Sequence, residues 1–180
     1  MSTTAKHVKC VVVGDNGAGK TTLLIRYTTA SFCPPEEVPT IFDNYTIKVR
    51  VRDEYYDLAL WDTYKPEEHD RLRALSYPGT DVLLVCFSVI SRHSFNNVGC
   101  FWLSEIQHFL PSVPWLLIGT RIDQRGQYDT VNNIPWNRPV TTGEAIRKAK
   151  RLGAFKYIEC SSLERINVDE VFEQVSNRGF

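Results

Sequence analysis

The chain has 180 residues, a length at which roughly 70% of the unfolded surface is buried on folding and one core is stable without staples. Lys plus Arg total 21 and Asp plus Glu total 21, so the formal net charge of zero gives no global field favouring nucleic acid or anionic membrane, and any charged ligand must be met locally. Five cysteines (Cys10, Cys33, Cys86, Cys100, Cys160) at wide spacings without a CxxC pair point to a reduced, cytoplasmic compartment, and no stretch approaches the ~20 apolar residues that span a bilayer.

The first predicted element is a strand, VKCVVVG (8–14), and it runs directly into GDNGAGKT, Gly14 to Thr21. This matches GxxxxGK[ST] in the strand-to-helix context that the phosphate-binding P-loop requires. Its glycines let backbone N–H groups close round phosphates, assisted by the positive end of the following helix. The candidate cradle is Asn16, Gly17, Ala18, Gly19, Lys20, Thr21 and Thr22, with Lys20 reaching the terminal phosphates and the Thr21 hydroxyl meeting Mg²⁺. Next comes an irregular segment, CPPEEVPTIF, in which Thr40 could meet Mg²⁺ and the γ phosphate; as a lone threonine it carries no weight.

NYTIKVRV and YYDLALW (55–61) are two strand-like runs joined by the polar link Arg52-Asp53-Glu54, which predicts an antiparallel hairpin at a sheet edge. Asp62 ends the second run, where a carboxylate can hold Mg²⁺ through water, although a lone Asp at a strand end is more often a turn former. The strand DVLLVCFSV (81–89) follows. After Ser91 and Ser94, residues Phe95, Val98, Trp102, Ile106 and Phe109 recur at helical spacing, giving a buried stripe that Pro111 stops.

The strand VPWLLIGT (113–120) leads into TRID, Thr120 to Asp123, which places the Asp123 carboxylate where it could accept two hydrogen bonds from guanine N1 and N2; adenine offers no such pair of donors. Gln124 to Pro139 is the longest irregular stretch and reads as a surface insertion. Thr141 and Glu144 have capping-box spacing ahead of Ile146, Ala149 and Leu152, with Gly153 as the C-terminal cap. The strand FKYIECS (155–161) precedes a last helix in which Asn167 and Glu170 repeat the capping spacing before Val171, Phe172 and Val175. Near-continuous apolar runs alternating with amphipathic helices predict an α/β fold: an open sheet of about six strands, mostly parallel with one antiparallel edge strand, helices on both faces, and a ligand beyond the carboxyl ends of the strands.

The phrases VPTIFDNYT (38–46), LWDT (60–63), DRLRALSYPGTDVLLVCFSV (70–89) and YIECSS (157–162) closely resemble the Rho/Rac branch of the small GTPases over almost the whole chain. The resemblance implies one P-loop NTPase domain over residues 1–180 that binds GTP or GDP with Mg²⁺, and it makes 124–139 the Rho-type insert. It further implies that 32–45 is switch I, that 62–78 is switch II, that Phe32 and Arg121 flank the guanine, and that Ser161 and Ser162 contact the base. Metal contacts fall to Thr21, Thr40 and, through water, Asp62. The partners it implies are effector proteins at both switches and exchange factors, with actin regulation as the process and no role in nucleic-acid binding. Family members end in a basic stretch and a prenylated cysteine, whereas this chain ends SNRGF; either the sequence continues beyond Phe180 or the protein is not lipidated, and a membrane location would require such a tail.

Several residues depart from the pattern. Where the family reads DTAGQE this chain reads DTYKPE, so Tyr64, Lys65 and Pro66 replace Ala, Gly and the Gln that orients the attacking water. Pro66 has neither a side-chain amide nor a backbone N–H, so no catalytic residue is assigned and hydrolysis should be very slow. Lys65 puts a side chain where the backbone approaches the γ phosphate. Asn16 replaces a glycine that leaves room for an activating protein's arginine, a group worth roughly 10³ to 10⁵ in rate. Glu37 stands in place of a tyrosine lid and is expected to face solvent, and His69 reads as a solvated surface histidine. Trp136 in the insert either pins it to the domain or marks a partner contact. The leading reading is a GTP-loaded signalling module that hydrolyses little or nothing. Its rival is a slow but genuine GTPase in which Glu67, Glu68 or His69 positions water; a P-loop kinase and a nucleotide-independent pseudo-GTPase fit less well.

Overall fold

Val8, Cys10 and Val12 point to one side of the first strand and Val11 and Val13 to the other, and all five are buried. A strand apolar on both faces belongs in the middle of a covered parallel sheet, and this one, β1 (Lys6–Gly14), lies there: β3 (Glu54–Asp62) pairs parallel with it on one side and β4 (Val82–Ser88) on the other. The structure, a computed structural model, describes residues 6–34, 36–37, 44–51, 54–63, 70–127 and 138–178. With β2 (Tyr45–Val51), β5 (Trp115–Thr120) and β6 (Lys156–Glu159), the sheet has the order β2-β3-β1-β4-β5-β6. β2 is antiparallel to β3 and sits at the edge, as the hairpin reading predicts, while the other strands run parallel. Glu54, expected in the link, pairs with Val51 as the first residue of β3.

α1 (Lys20–Thr29) and α6 (Val168–Arg178) cover one face, burying Leu23, Leu24, Val171, Phe172 and Val175 against Leu58, Leu116 and Ile158. Tyr27 stacks on Phe172 with ring centroids 3.8 Å apart, tying the two helices together. The other face carries α3 (Arg92–Asn97), a π-helical turn (Val98–Trp102), α4 (Leu103–Phe109) and α5 (Thr142–Leu152). A short helix, α2 (Asp70–Ala74), follows the β3 end, and a 3₁₀ turn (Ile122–Gln124) follows β5.

Three helix expectations need correction. Phe95, Val98, Trp102 and Ile106 are buried, but Phe109 is 47% exposed and Leu110 takes the inward place. The π-helical turn holds more residues than an α turn, so residues beyond it leave the 3.6-residue phase. In α5 the capping box forms as read: the Thr141 hydroxyl accepts from the Glu144 N–H (3.3 Å) and the Glu144 carboxylate accepts from the Thr141 N–H (2.9 Å). Gly153 closes the helix at φ 83°. The buried stripe, however, runs through Ala145, Lys148 and Ala149, leaving Ile146 52% exposed. Lys148 turns inward because its ammonium donates to the Phe95 carbonyl and lies 4.0 Å from the centre of the Phe95 ring. Before α6, Asn167 adopts φ 56° and donates its amide to the Glu159 carbonyl (2.8 Å), while Glu170 accepts from Lys156 (2.9 Å). Those commitments break the reciprocal cap expected of the pair, although Val171, Phe172 and Val175 are buried as predicted.

Candidate functional site

The loop between β1 and α1 is shaped by its glycines. A Cβ at Gly14 would stand 2.2 Å from the Cys86 carbonyl oxygen of β4, and at φ 81° Gly19 takes the left-handed turn that starts α1. The Ala18 N–H donates to the Asp15 carbonyl (3.1 Å), bending the loop, and the Thr120 hydroxyl donates to the Ala18 carbonyl (2.8 Å), bracing it against the end of β5. Lys20 is 6% exposed, and its ammonium donates back to the carbonyls of Gly14 (2.8 Å) and Asp15 (3.1 Å). The ammonium and the N-terminus of α1 together offer positive charge and donors to an anion bound at the loop. Asn16 and Gly17 stand exposed on the crest of the loop, Ala18 is buried below it, and Thr22 is half-buried in the first turn of α1.

Thr21 donates its hydroxyl to Asp62 Oδ2, joining the first turn of α1 to the carboxyl end of β3. The other oxygen, Asp62 Oδ1, is enclosed without a hydrogen-bond partner. Burial raises the Asp62 pKa, and the Thr21 hydroxyl and the Lys20 charge oppose that shift. An enclosed carboxylate oxygen beside a hydroxyl is a donor set that hard divalent cations accept, so these residues fit Mg²⁺. Among the described residues no three His, Cys, Asp or Glu side chains cluster for a metal. Thr21 and, through water, Asp62 would hold Mg²⁺ together with phosphate oxygens, and the bound ion would neutralise charge on those oxygens. Next to Asp62, the buried Thr63 hydroxyl donates to the Val12 carbonyl (2.6 Å) and fixes the end of β3 against β1.

Past β5, Arg121 takes φ 62° and turns the chain so that Asp123 falls in the 3₁₀ turn. The Ser161 hydroxyl donates to Asp123 Oδ1 (2.6 Å) and accepts from the Glu164 N–H (3.0 Å), while the Cys160 N–H donates to the Gly119 carbonyl (2.8 Å). The β6–α6 loop thus holds one oxygen of the carboxylate. Arg121, Asp123, Ser162 and Phe32 are all half-buried. The structure brings Lys20, Thr21, Asp62, Thr120, Asp123 and Ser161 to the carboxyl edge of the sheet, linked through the P-loop by the bonds above. Thr40, Tyr64, Lys65, Pro66, Glu67, Glu68, His69 and Trp136 lie outside the described residues; Glu37 is exposed, as expected.

Sequence reasoning missed the buried support behind the loop. Asp15 is 7% exposed; Trp102 Nε1 donates to its Oδ1 (2.9 Å) and Asn97 Nδ2 to its Oδ2 (2.6 Å). Helical spacing had placed Trp102 in the core without revealing that its N–H needs a partner, the one signal that could have prompted the search. Beneath it, Arg73 of α2 forms a bidentate pair with Glu105 (2.7 and 2.5 Å), and the Tyr77 hydroxyl donates to the same carboxylate.

A phosphate cradle at a strand-to-helix turn, a cation-ready hydroxyl and carboxylate, and a braced acidic residue on the next loop define a P-loop nucleotide-binding protein. The sequence model of the Ras family matches residues 9–179, and the chain belongs to the Ras family, whose members generally bind guanine nucleotide with Mg²⁺ and bind effectors and exchange factors.

Proposed function

We propose that this Ras-family protein is a Rho-type signalling GTPase that stays loaded with GTP and hydrolyses it very slowly or not at all, presenting residues 32–45 and 62–78 to effector proteins. One observation carries the reading: Pro66 stands where the family's water-orienting Gln belongs and supplies neither an amide nor a backbone N–H. Asn16 adds support, because its side chain is exposed on the crest of the P-loop, where an activating protein's arginine would have to enter. Loss of that arginine's contribution raises the barrier by about 4 to 7 kcal/mol. Rho-type phrases over 38–46 and 70–89, together with a stretch at 124–139 in the place of the Rho insert, support assignment of residues 1–180 to one domain of that branch. On this reading Thr21 and Thr40 contact the metal and Asp62 holds it through water, while Phe32, Thr120, Arg121, Asp123, Ser161 and Ser162 serve the nucleotide's base side. A cytoplasmic location and actin regulation accompany this reading, with membrane residence only if a lipidated tail lies beyond Phe180.

Single-turnover measurement on GTP-loaded protein tests it. Retention of the γ phosphate over many hours with Mg²⁺ is expected, with no acceleration by an activating protein. Release at ordinary small-GTPase rates, abolished by Glu67→Ala, would instead establish a substitute water-positioning residue.

A further inference from the structure

An acidic side chain inside a phosphate-binding loop is electrostatically adverse, since like charges disfavour one another. Asp15 lies in this loop between Gly14 and Asn16, yet its carboxylate is nearly enclosed and directed away from the crest. Its two oxygens accept from two neutral donors, Trp102 Nε1 (2.9 Å) and Asn97 Nδ2 (2.6 Å). Both donors come from one helical segment and stand five residues apart, a spacing that in an α-helix points side chains roughly 140° from each other. The i→i+5 turn over Val98–Trp102 reduces that divergence and lets Asn97 and Trp102 grip a single carboxylate. Such π-helical turns concentrate at functional sites. The indole is itself fixed: the Arg73 guanidinium lies 5.0 Å from the Trp102 ring centre, and Arg73 is anchored on Glu105. His93 lies beside them, with Nε2 3.8 Å from Asp15 Oδ2 and 3.0 Å from Asn97 Nδ2.

We propose that Trp102 and Asn97 are positioning residues for the bound nucleotide: acting through Asp15, they hold the P-loop in its phosphate-binding shape from behind. This rests on nucleotide binding at the P-loop, which the family membership supplies. Trp102 and Asn97 both bond to the loop through the Asp15 carboxylate, and dependence on that carboxylate separates positioning from packing.

The test measures release of N-methylanthraniloyl-GDP from Mg²⁺-loaded protein chased with unlabelled GDP. Trp102→Phe keeps an aromatic ring and removes only the donor; Asn97→Ala, at a half-buried site, provides a second variant less exposed to folding loss. Each is made alone and with Asp15→Ala. Loss of a hydrogen bond to a charged group should speed release about tenfold in the Asp15 background. With Asp15→Ala already present, either change should alter the rate by less than about twofold. Equal acceleration in both backgrounds would assign the residues to packing and overturn the proposal, as would no acceleration in either. If the unaltered protein fails to take up the labelled nucleotide, the P-loop site fails and the proposal with it; uptake followed by additive effects defeats the proposal alone.

Discussion

Asp62 answers two opposing demands, and its environment records the conflict. Burial drives its carboxyl toward the neutral form, whereas a magnesium contact requires the ionised one. A folded-state pKa above the ordinary value means that the native protein binds this proton more tightly than the unfolded chain. The group therefore subtracts from stability as pH rises above its unfolded value. Asp62→Asn should accordingly leave the melting temperature of the nucleotide-free protein at pH 7 unchanged or raised. The same substitution should increase by about tenfold or more the Mg²⁺ concentration needed to retain nucleotide, read by titrating release rates against Mg²⁺. A fall in melting temperature without a change in Mg²⁺ dependence would make Asp62 a structural residue only. Asp62 was legible in the sequence as a carboxylate ending an apolar strand, and GDNGAGKT and TRID were legible as local phrases. Asp15 was not, because its role depends on donors from residues 97 and 102, and no local pattern announces a partner so distant in the chain.

At the scale of elements, apolar periodicity located every strand and most helices, since burial on one or two faces is written directly into alternation. It misplaced Phe109 and Ile146 for reasons of tertiary origin: a π-helical turn shifts the phase of α4, and the Phe95 carbonyl draws Lys148 inward. The start of α5 shows local and tertiary signals agreeing. Glu144 caps the helix and also accepts from both Arg92 Nη1 (2.9 Å) and Nη2 (3.0 Å), while Arg92 further donates to the carbonyls of Arg138 (2.7 Å) and Pro139 (3.0 Å). The Arg92 guanidinium, aided by the Thr141 backbone N–H, holds the Glu144 carboxyl down at about 2. A depressed folded pKa gives stability that is complete above the unfolded value of 4.5 and is lost as pH falls toward 2. Glu144→Gln should therefore lower the melting temperature at pH 6 and flatten its decline between pH 4.5 and 2. Thermal unfolding across that range checks both effects, and an unchanged slope would remove Glu144 from the acid response.

For the molecule as a whole, the sheet gathers segments separated by more than a hundred residues onto one edge. The P-loop leaves β1, Asp62 ends β3, Asp123 follows β5 and Ser161 follows β6. The parallel order around β1 places all of these at carboxyl ends, the general location of ligands in open α/β sheets. A zero net charge suits this design, because the anion is met by Lys20 and the loop rather than by a global field. The proposed retention of GTP rests on the amide absent at Pro66, the position of the family's water-orienting Gln. Denaturing the natively purified protein in Mg²⁺ buffer and identifying the released nucleotide by chromatography tests this most directly. GTP in near-stoichiometric amount is expected; GDP in its place would contradict the loss of hydrolysis, and no guanine nucleotide would contradict the site itself.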